Sequence, residues 1–94
     1  MKYVIARSKS AGVFAGTVES RPSETSIVLT GVRRLWYWSG AASLSQLAQE
    51  GVKNPDKCKF PAVVDRIEVL EVCEILDVTG QAKANIAAVP VWAN

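Results

Sequence analysis

The chain contains no histidine, and this absence removes several kinds of chemistry at once. Histidine is the usual general base, the usual partner of a serine or cysteine nucleophile, and the commonest metal ligand. The only cysteines, Cys58 and Cys73, do not have the spacing of a metal site. We therefore expect a protein that is not an enzyme and has no cofactor, with both thiols reduced and packed as small core residues.

The chain also lacks a long hydrophobic run and a strong charge excess. No apolar run approaches the roughly 18–20 residues that span a bilayer, and residues 1–5 predict a strand rather than a signal peptide. The net charge is +2, from 11 basic and 9 acidic residues, whereas a general nucleic-acid binder carries a marked basic excess. We expect a cytoplasmic protein with neither a membrane nor a nucleic acid as its partner.

The length of 94 residues, of which 49% are hydrophobic and 21% charged, is typical of one globular domain that spans residues 1–94. A domain of this size buries only about 60–65% of the surface that its unfolded chain exposes. The modest core makes a homo-oligomer an expected source of additional stability.

Hydrophobic patterning predicts a small α+β domain with a mostly antiparallel sheet and two short helices. Ser43 and Gln46 form a capping-box pattern ahead of a helix at 44–50, which Gly51 ends. Thr79 is a predicted N-cap for a helix through residue 88, before Pro90. Aromatic and β-branched content predicts strands at 3–7, 13–20, 26–30, 32–38 and 62–78, with loops at 8–12 and 21–25 and a bulge or close approach at Gly16. A helix is the alternative at 32–38, and the three-residue spacing of Glu68, Glu71 and Glu74 makes a helix or a bulged strand the alternative at 62–78.

The densest chemistry lies at residues 33–38, Arg-Arg-Leu-Trp-Tyr-Trp. Strand alternation would place Arg34, Trp36 and Trp38 on one face, and Arg33 and Tyr37 on the other. A guanidinium pairs with phosphate, and an exposed aromatic ring provides a face on which a base can stack. The alternative is that the rings belong to the sheet core and that the arginines are structural.

Two small-residue segments could add to such a site. Residues 39–45 lead into the predicted helix at 44–50, whose free N–H groups could bind an anion. Residues 8–12 form a hairpin tip that could contact a phosphate. The alternatives are an ordinary capped helix and an ordinary turn. The candidate ligand-binding residues are Ser10, Gly12, Arg33, Arg34, Trp36, Tyr37, Trp38, Ser39, Gly40, Ser43 and Ser45.

Four segments carry a resemblance to a family of small bacteriophage and prophage proteins: 2–5, 10–16, 33–48 and 89–92. Small phage proteins of this size are often counter-defence factors, and one class, the sponges, consists of oligomers that sequester cyclic nucleotides of bacterial immune systems. With the candidate site, the resemblance implies a phage-encoded, non-catalytic protein that sequesters a phosphorylated (cyclic) nucleotide signal in the cytoplasm of the infected host.

Other functions are open at this point. The same aromatic surface would suit a structural or interaction module of a phage, such as a virion decoration protein or an inhibitor of a host protein. A sequence-reading nucleic-acid binder is the weakest hypothesis, because the charge is low. The carboxylates of Glu68, Glu71, Glu74 and Asp77 are spaced as a solvated face rather than as an acid–base pair.

Overall fold

The computed structural model describes residues 1–93, which form five strands and two α-helices. The strands make one antiparallel sheet in the order β4-β3-β2-β1-β5. This confirms the predicted α+β class with its antiparallel sheet and two short helices. The elements are β1 (Tyr3–Ser8), β2 (Gly12–Ser23), β3 (Ser26–Arg34), α1 (Leu44–Glu50), a 3₁₀ turn (Pro55–Lys57), β4 (Val64–Val69), β5 (Val72–Asp77) and α2 (Gly80–Ala88).

The two edge strands of the sheet, β4 and β5, are consecutive in the chain and are joined by only Leu70 and Glu71. In a flat five-stranded sheet the two edges would lie about 19 Å apart. The chain from Val69 to Val72 can span at most about 11 Å. The sheet must therefore curl strongly, toward a small and partly open barrel.

The curled sheet separates two hydrophobic cores. The first, within the curl, needs no helix because the sheet folds over itself; it contains Val4, Ala6, Phe14, Ile27, Leu29, Val32, Val69 and Val72. The second lies on the opposite face of β1 and β2, where both helices and the long α1–β4 connection pack on the sheet. It contains Ile5, Ala15, Leu35, Leu47, Ala48, Val52, Cys58, Phe60, Ile86 and Val89.

β3 is one strand with an internal bulge, where the sequence predicted two strands separated by Gly31. Gly31 is an extra residue in the ladder between β2 and β3, and its φ of 56° is in the left-handed region. The predicted close approach at Gly16 is confirmed, because a Cβ atom there would lie 3.1 Å from the Thr30 carbonyl oxygen. The bulge lets β3 continue to Arg34, which places both arginines at its end.

Three further predictions about the chain's local structure were wrong. Residues 62–78 form two strands, because Glu71 adopts a left-handed φ of 55° and turns the chain from one sheet edge to the other. The predicted loop at 21–25 is shorter, because β2 continues to Ser23. Cys58 is buried as predicted, whereas Cys73 is exposed because it is the extra residue of a bulge in β5.

Both predicted helices are confirmed together with their caps. The side chain of Ser43 accepts a hydrogen bond from the Gln46 N–H at the start of α1, and Gly51 follows the helix with a φ of 80°. The Thr79 hydroxyl likewise accepts from the Ala82 N–H at the start of α2. Neither helix of the described chain is long and apolar enough to cross a membrane.

Asn85 fixes α2 against the chain that leaves α1. Its Oδ1 accepts a hydrogen bond of 2.8 Å from the Val52 N–H, and its Nδ2 donates one of 2.9 Å to the Val52 carbonyl. Val52 is buried, so these backbone groups have little access to water. The amide therefore satisfies two polar groups that would otherwise be costly to bury.

We predict that Asn85→Ala lowers the free energy of unfolding by about 1–3 kcal/mol, because it leaves the buried N–H and C=O of Val52 without their partners. Urea denaturation monitored by circular dichroism measures this change. The matched control is Gln81→Ala, an exposed position on the same helix, where a change within about 0.5 kcal/mol is expected. Equal effects of the two substitutions would contradict the role assigned to Asn85.

Candidate functional site

Arg33 is a buried residue that connects the sheet to the second core. Its side chain is 4% exposed, and its guanidinium donates to the carbonyl oxygens of Ile86 (2.8 Å), Phe60 (3.2 Å) and Pro61 (3.3 Å). Burial lowers the pKa of Arg33, an effect that the nearby Tyr3 partly opposes. The charge lies near the C-terminus of α2, where a cation is favourable. With its donors used internally, Arg33 is not available to hold a ligand phosphate.

Arg34 points the other way and is exposed. Its guanidinium lies 4.5 Å from the centroid of the Phe14 ring, and Nη1 donates to the Ala11 carbonyl at 2.8 Å. It lines a cavity of about 510 Å³ beside the β1–β2 turn. We call this the hairpin cavity; its lining residues are Ser10, Ala11, Phe14, Arg34, Ile67, Glu68, Val69, Leu70 and Glu71.

The hairpin cavity brings Ser10 and Arg34 together, as a phosphate site would need, but Glu71 also lies there. The Ser10 hydroxyl donates to Glu71 Oε1, so its proton is directed to an acid of this chain. The Glu71 carboxylate would repel an anion, and this cavity therefore suits a phosphate poorly. Gly12 adopts a φ of 101° at the adjoining turn, which accounts for the glycine.

The three aromatic residues that follow Arg34 and Leu35 have different environments. Trp36 is 64% exposed and Tyr37 is 51% exposed, whereas Trp38 is half-buried and packs on the second core. The predicted alternation holds from Arg33 to Trp36 and fails at Tyr37. The reason is that β3 ends at Arg34 and the chain beyond it pairs with a different segment.

An exposed cluster of aromatic rings around a lysine forms beyond the sheet, and we call it the aromatic–lysine surface: Tyr37, Lys59 and Trp92. The Lys59 ammonium lies 5.8 Å from the centroid of the Tyr37 ring and 5.7 Å from that of Trp92. All three side chains are exposed. Both distances are within the range of a cation–π interaction.

Backbone pairing holds the aromatic–lysine surface in place. Tyr37 and Lys59 exchange both of their backbone hydrogen bonds, at 3.3 and 2.8 Å, as an antiparallel pair that puts their side chains on one side. The Trp92 N–H donates to the Phe60 carbonyl at 3.0 Å. Because the Phe60 carbonyl also accepts from Arg33, the buried arginine helps to hold the paired residues Phe60 and Val91, which adjoin Lys59 and Trp92.

Ser39 and Gly40 pack against the loop that follows α1 and serve the fold. The Ser39 hydroxyl accepts from Asn54 Nδ2 at 3.1 Å, and its carbonyl accepts from the Asn54 N–H. Gly40 has a φ of 95°, and a Cβ atom there would lie 2.5 Å from the Lys53 backbone nitrogen. These contacts require a glycine at position 40 irrespective of any ligand.

The two remaining serines have other places in the fold. Ser43 is the N-cap of α1, whose seven residues make a short helix with an ordinary cap. Ser45 lines another cavity, of about 380 Å³, between α1 and β5. Within residues 1–93 no group of three or more His, Cys, Asp or Glu side chains is placed to hold a metal ion.

The structure thus divides the predicted site residues among several locations, and it adds two residues that sequence reasoning missed. Lys59 is one of three lysines in the 53–59 loop, and Trp92 lies near the end of the described chain. Their partner, Tyr37, is more than 20 residues away from either. Only the backbone pairing of 37 with 59 and of 60 with 91 brings them together, and no local pattern signals it.

We predict that Arg33→Met and Arg34→Met have very different effects on stability. Loss of the Arg33 guanidinium leaves three backbone carbonyls without a charged donor, so the free energy of unfolding should fall by about 3 kcal/mol or more. Arg34→Met removes one exposed hydrogen bond and should cost about 1 kcal/mol or less. Denaturant titrations of the two variants test this, and a larger loss for Arg34→Met would refute the assignment of the structural role to Arg33.

A second prediction concerns the glycines. Gly40→Ala should lower the free energy of unfolding by about 2–3 kcal/mol, because the added methyl group meets backbone atoms at a left-handed position. Gly80→Ala is the matched control, because a Cβ atom there meets nothing within 4 Å; it should be neutral or stabilise by up to about 1 kcal/mol. Thermal melts compare them, and an unaffected Gly40→Ala protein would argue against the packing described here.

Comparison with known proteins gives a family but no function. No curated protein and no solved structure matches the chain. A family model described as a domain of unknown function (DUF6948) matches residues 1–86. Because this match covers most of the 94 residues, the chain belongs to the DUF6948 family.

Proposed function

We propose that this protein is a non-catalytic binding protein that holds a phosphorylated nucleotide on the aromatic–lysine surface. The observation that carries the proposal is the exposed ammonium of Lys59 between the rings of Tyr37 and Trp92, at 5.8 and 5.7 Å from their centroids. A base stacked on such a ring contributes about 1–3 kcal/mol. The lysine adjacent to both rings supplies the positive charge that a phosphate needs.

Local charge favours this surface over the hairpin cavity. The 53–59 loop carries Lys53, Lys57 and Lys59, all exposed, with Asp56 as its one acidic residue. The hairpin cavity instead sets the Glu71 carboxylate beside one available guanidinium, that of Arg34. An anion is therefore better accommodated near Lys59, and Arg34 with Ser10 is no longer part of the proposed site.

Binding without turnover is part of the proposal. The aromatic–lysine surface offers ring faces for stacking and an ammonium for charge, but no group that would accept a proton from a nucleophile at neutral pH. A protein that only captures its ligand needs affinity and no such group. The resemblance to small phage proteins extends the proposal to its setting: a homo-oligomeric protein that withholds a cyclic nucleotide signal from the defence system of the infected host, in its cytoplasm.

A second function is favoured by further exposed apolar residues in the same segments. Trp36 and Val91 are exposed and are the sequence neighbours of Tyr37 and Trp92. Exposed aromatic and apolar side chains are typical of protein contacts. Under this alternative the protein is an interaction module of a virion or of a host protein complex, and Trp36 contributes as much as Lys59.

The nucleotide proposal predicts a ligand-induced gain in stability. A thermal-shift series would use cyclic dinucleotides and trinucleotides, ADP-ribose and mononucleotides. A nucleotide at 100 times its dissociation constant stabilises the folded state by about 2.7 kcal/mol. Tyr37→Ala and Lys59→Gln should each weaken the binding of the active nucleotide about tenfold or more in calorimetry.

The control is Lys83→Gln on α2, which removes a lysine that lies 5.2 Å from another ring, that of Tyr3; its affinity should match that of the unmodified protein. The proposal fails if none of the nucleotides shifts the melting temperature, or if the surface variants bind as well as the control. Binding that Trp36→Ala abolishes from a purified protein partner, with no response to nucleotides, would support the interaction module instead.

A further inference from the structure

We propose that two copies of this chain associate by pairing their β4 strands edge to edge, antiparallel, about a two-fold axis through Ile67. One side of β4 pairs with β3 without interruption, from Val64 opposite Val32 to Val69 opposite Ile27. The other side has no partner strand among residues 1–93. An unpaired, regular edge is a template on which another strand can add its backbone hydrogen bonds.

The opposite edge of the sheet is a poorer template. The ladder between β1 and β5 shifts register at Cys73, so the edge that β5 presents is bulged. Helix α1 also lies next to β5, with Ser45 and Leu76 lining the cavity between them. Bulges and covering elements are the ways in which natural sheets block edge pairing. β4 has no register shift in its pairing with β3, and its C-terminal end lines the hairpin cavity near the β1–β2 turn.

Symmetry limits the ways in which two β4 strands can pair. A two-fold axis perpendicular to the sheet leaves each face of the strand on the same side of the joined sheet in both copies. Residues that lie opposite each other therefore belong to the same face of β4. This is possible only if the axis passes midway between one residue and the same residue of the other copy. Axes through Asp65, Arg66 or Glu68 place two like charges directly opposite, which is unfavourable.

The axis through Ile67 is the arrangement in which the charges complement each other. Arg66 of each copy then faces Glu68 of the other, which gives two ion pairs on one face of the joined sheet. On the same face, Val64 of each copy lies opposite Leu70 of the other. These two side chains are 46% and 58% exposed in the single chain, so the pairing would cover apolar surface as well as the backbone edge.

Arg66 changes its partner in this arrangement. In the single chain its Nε and Nη2 donate to the carboxylate of Glu19 on β2, so the guanidinium lies over β3 and away from the free side of β4. That contact raises the pKa of Arg66. In the dimer the guanidinium turns to the free side, where the second copy's Glu68 becomes its partner. This proposal identifies the surface of the expected homo-oligomer and does not depend on nucleotide binding.

The test is sedimentation velocity of the purified full chain over a range of concentrations, without nucleotide. The unmodified protein should form a dimer, and Glu68→Arg should raise its dissociation constant about tenfold or more, because both ion pairs become repulsive contacts. Glu24→Arg is the matched control, with the same charge change in the exposed β2–β3 turn. The triple variant Glu19→Arg/Arg66→Glu/Glu68→Arg reverses every charge of the network and should restore the dimer.

Hydrogen exchange of the unmodified protein gives a second readout that needs no variant to fold. Amides within residues 64–69 should gain protection as the concentration rises through the dimer transition, and those of β5 should not. The proposal is overturned if the protein stays monomeric at millimolar concentration. It is also overturned if the dimer resists Glu68→Arg or dissociates with Tyr37→Ala, since the latter result would place the contact at the aromatic–lysine surface.

Discussion

The two-residue connection between β4 and β5 is the constraint on which the rest of the structure depends. Strands at opposite edges of a five-stranded sheet can be joined by Leu70 and Glu71 only if the sheet curls until those edges approach each other. Backbone hydrogen bonds at that corner, from Lys9 N–H to the Glu71 carbonyl and from Val72 N–H to that of Thr25, close the end of the curl. The sheet thereby supplies its own first core. Both helices are left free to cover the other face.

The buried charge of Arg33 connects that architecture to the proposed binding surface. The Arg33 side chain extends from the end of β3, and its guanidinium donates to the carbonyl of Ile86 on α2 and to those of Phe60 and Pro61. Such a charge is tolerated in the interior because its donors are satisfied. The same contacts hold Phe60, which adjoins Lys59 and accepts a hydrogen bond from the Trp92 N–H. The arginine that was expected to bind phosphate thus supports the proposed site indirectly, through the backbone.

The parts of the fold that the sequence predicted are those set by local signals. Ser43, Gly51 and Thr79 mark helix ends through contacts within a few residues, and the structure has them at those positions. The break between β4 and β5 was missed because Glu71 takes a left-handed conformation that usually belongs to glycine. The aromatic–lysine surface was missed because it depends on pairings between distant segments, which no composition or period can reveal.

The segment Arg33 to Trp38 shows why a dense run of ligand-binding residue types need not be one site. Along an extended chain, neighbouring side chains point to opposite faces, so two adjacent arginines must separate. One enters the core and the other remains at the hairpin cavity. Beyond the end of β3, Tyr37 pairs with Lys59, and its ring lies near that lysine, which also contacts Trp92. The alternation of side chains along the sequence does not predict this grouping. The aromatic and basic side chains of the proposed site therefore come from three parts of the chain, and their arrangement depends on the pairing of those parts as much as on the residues themselves.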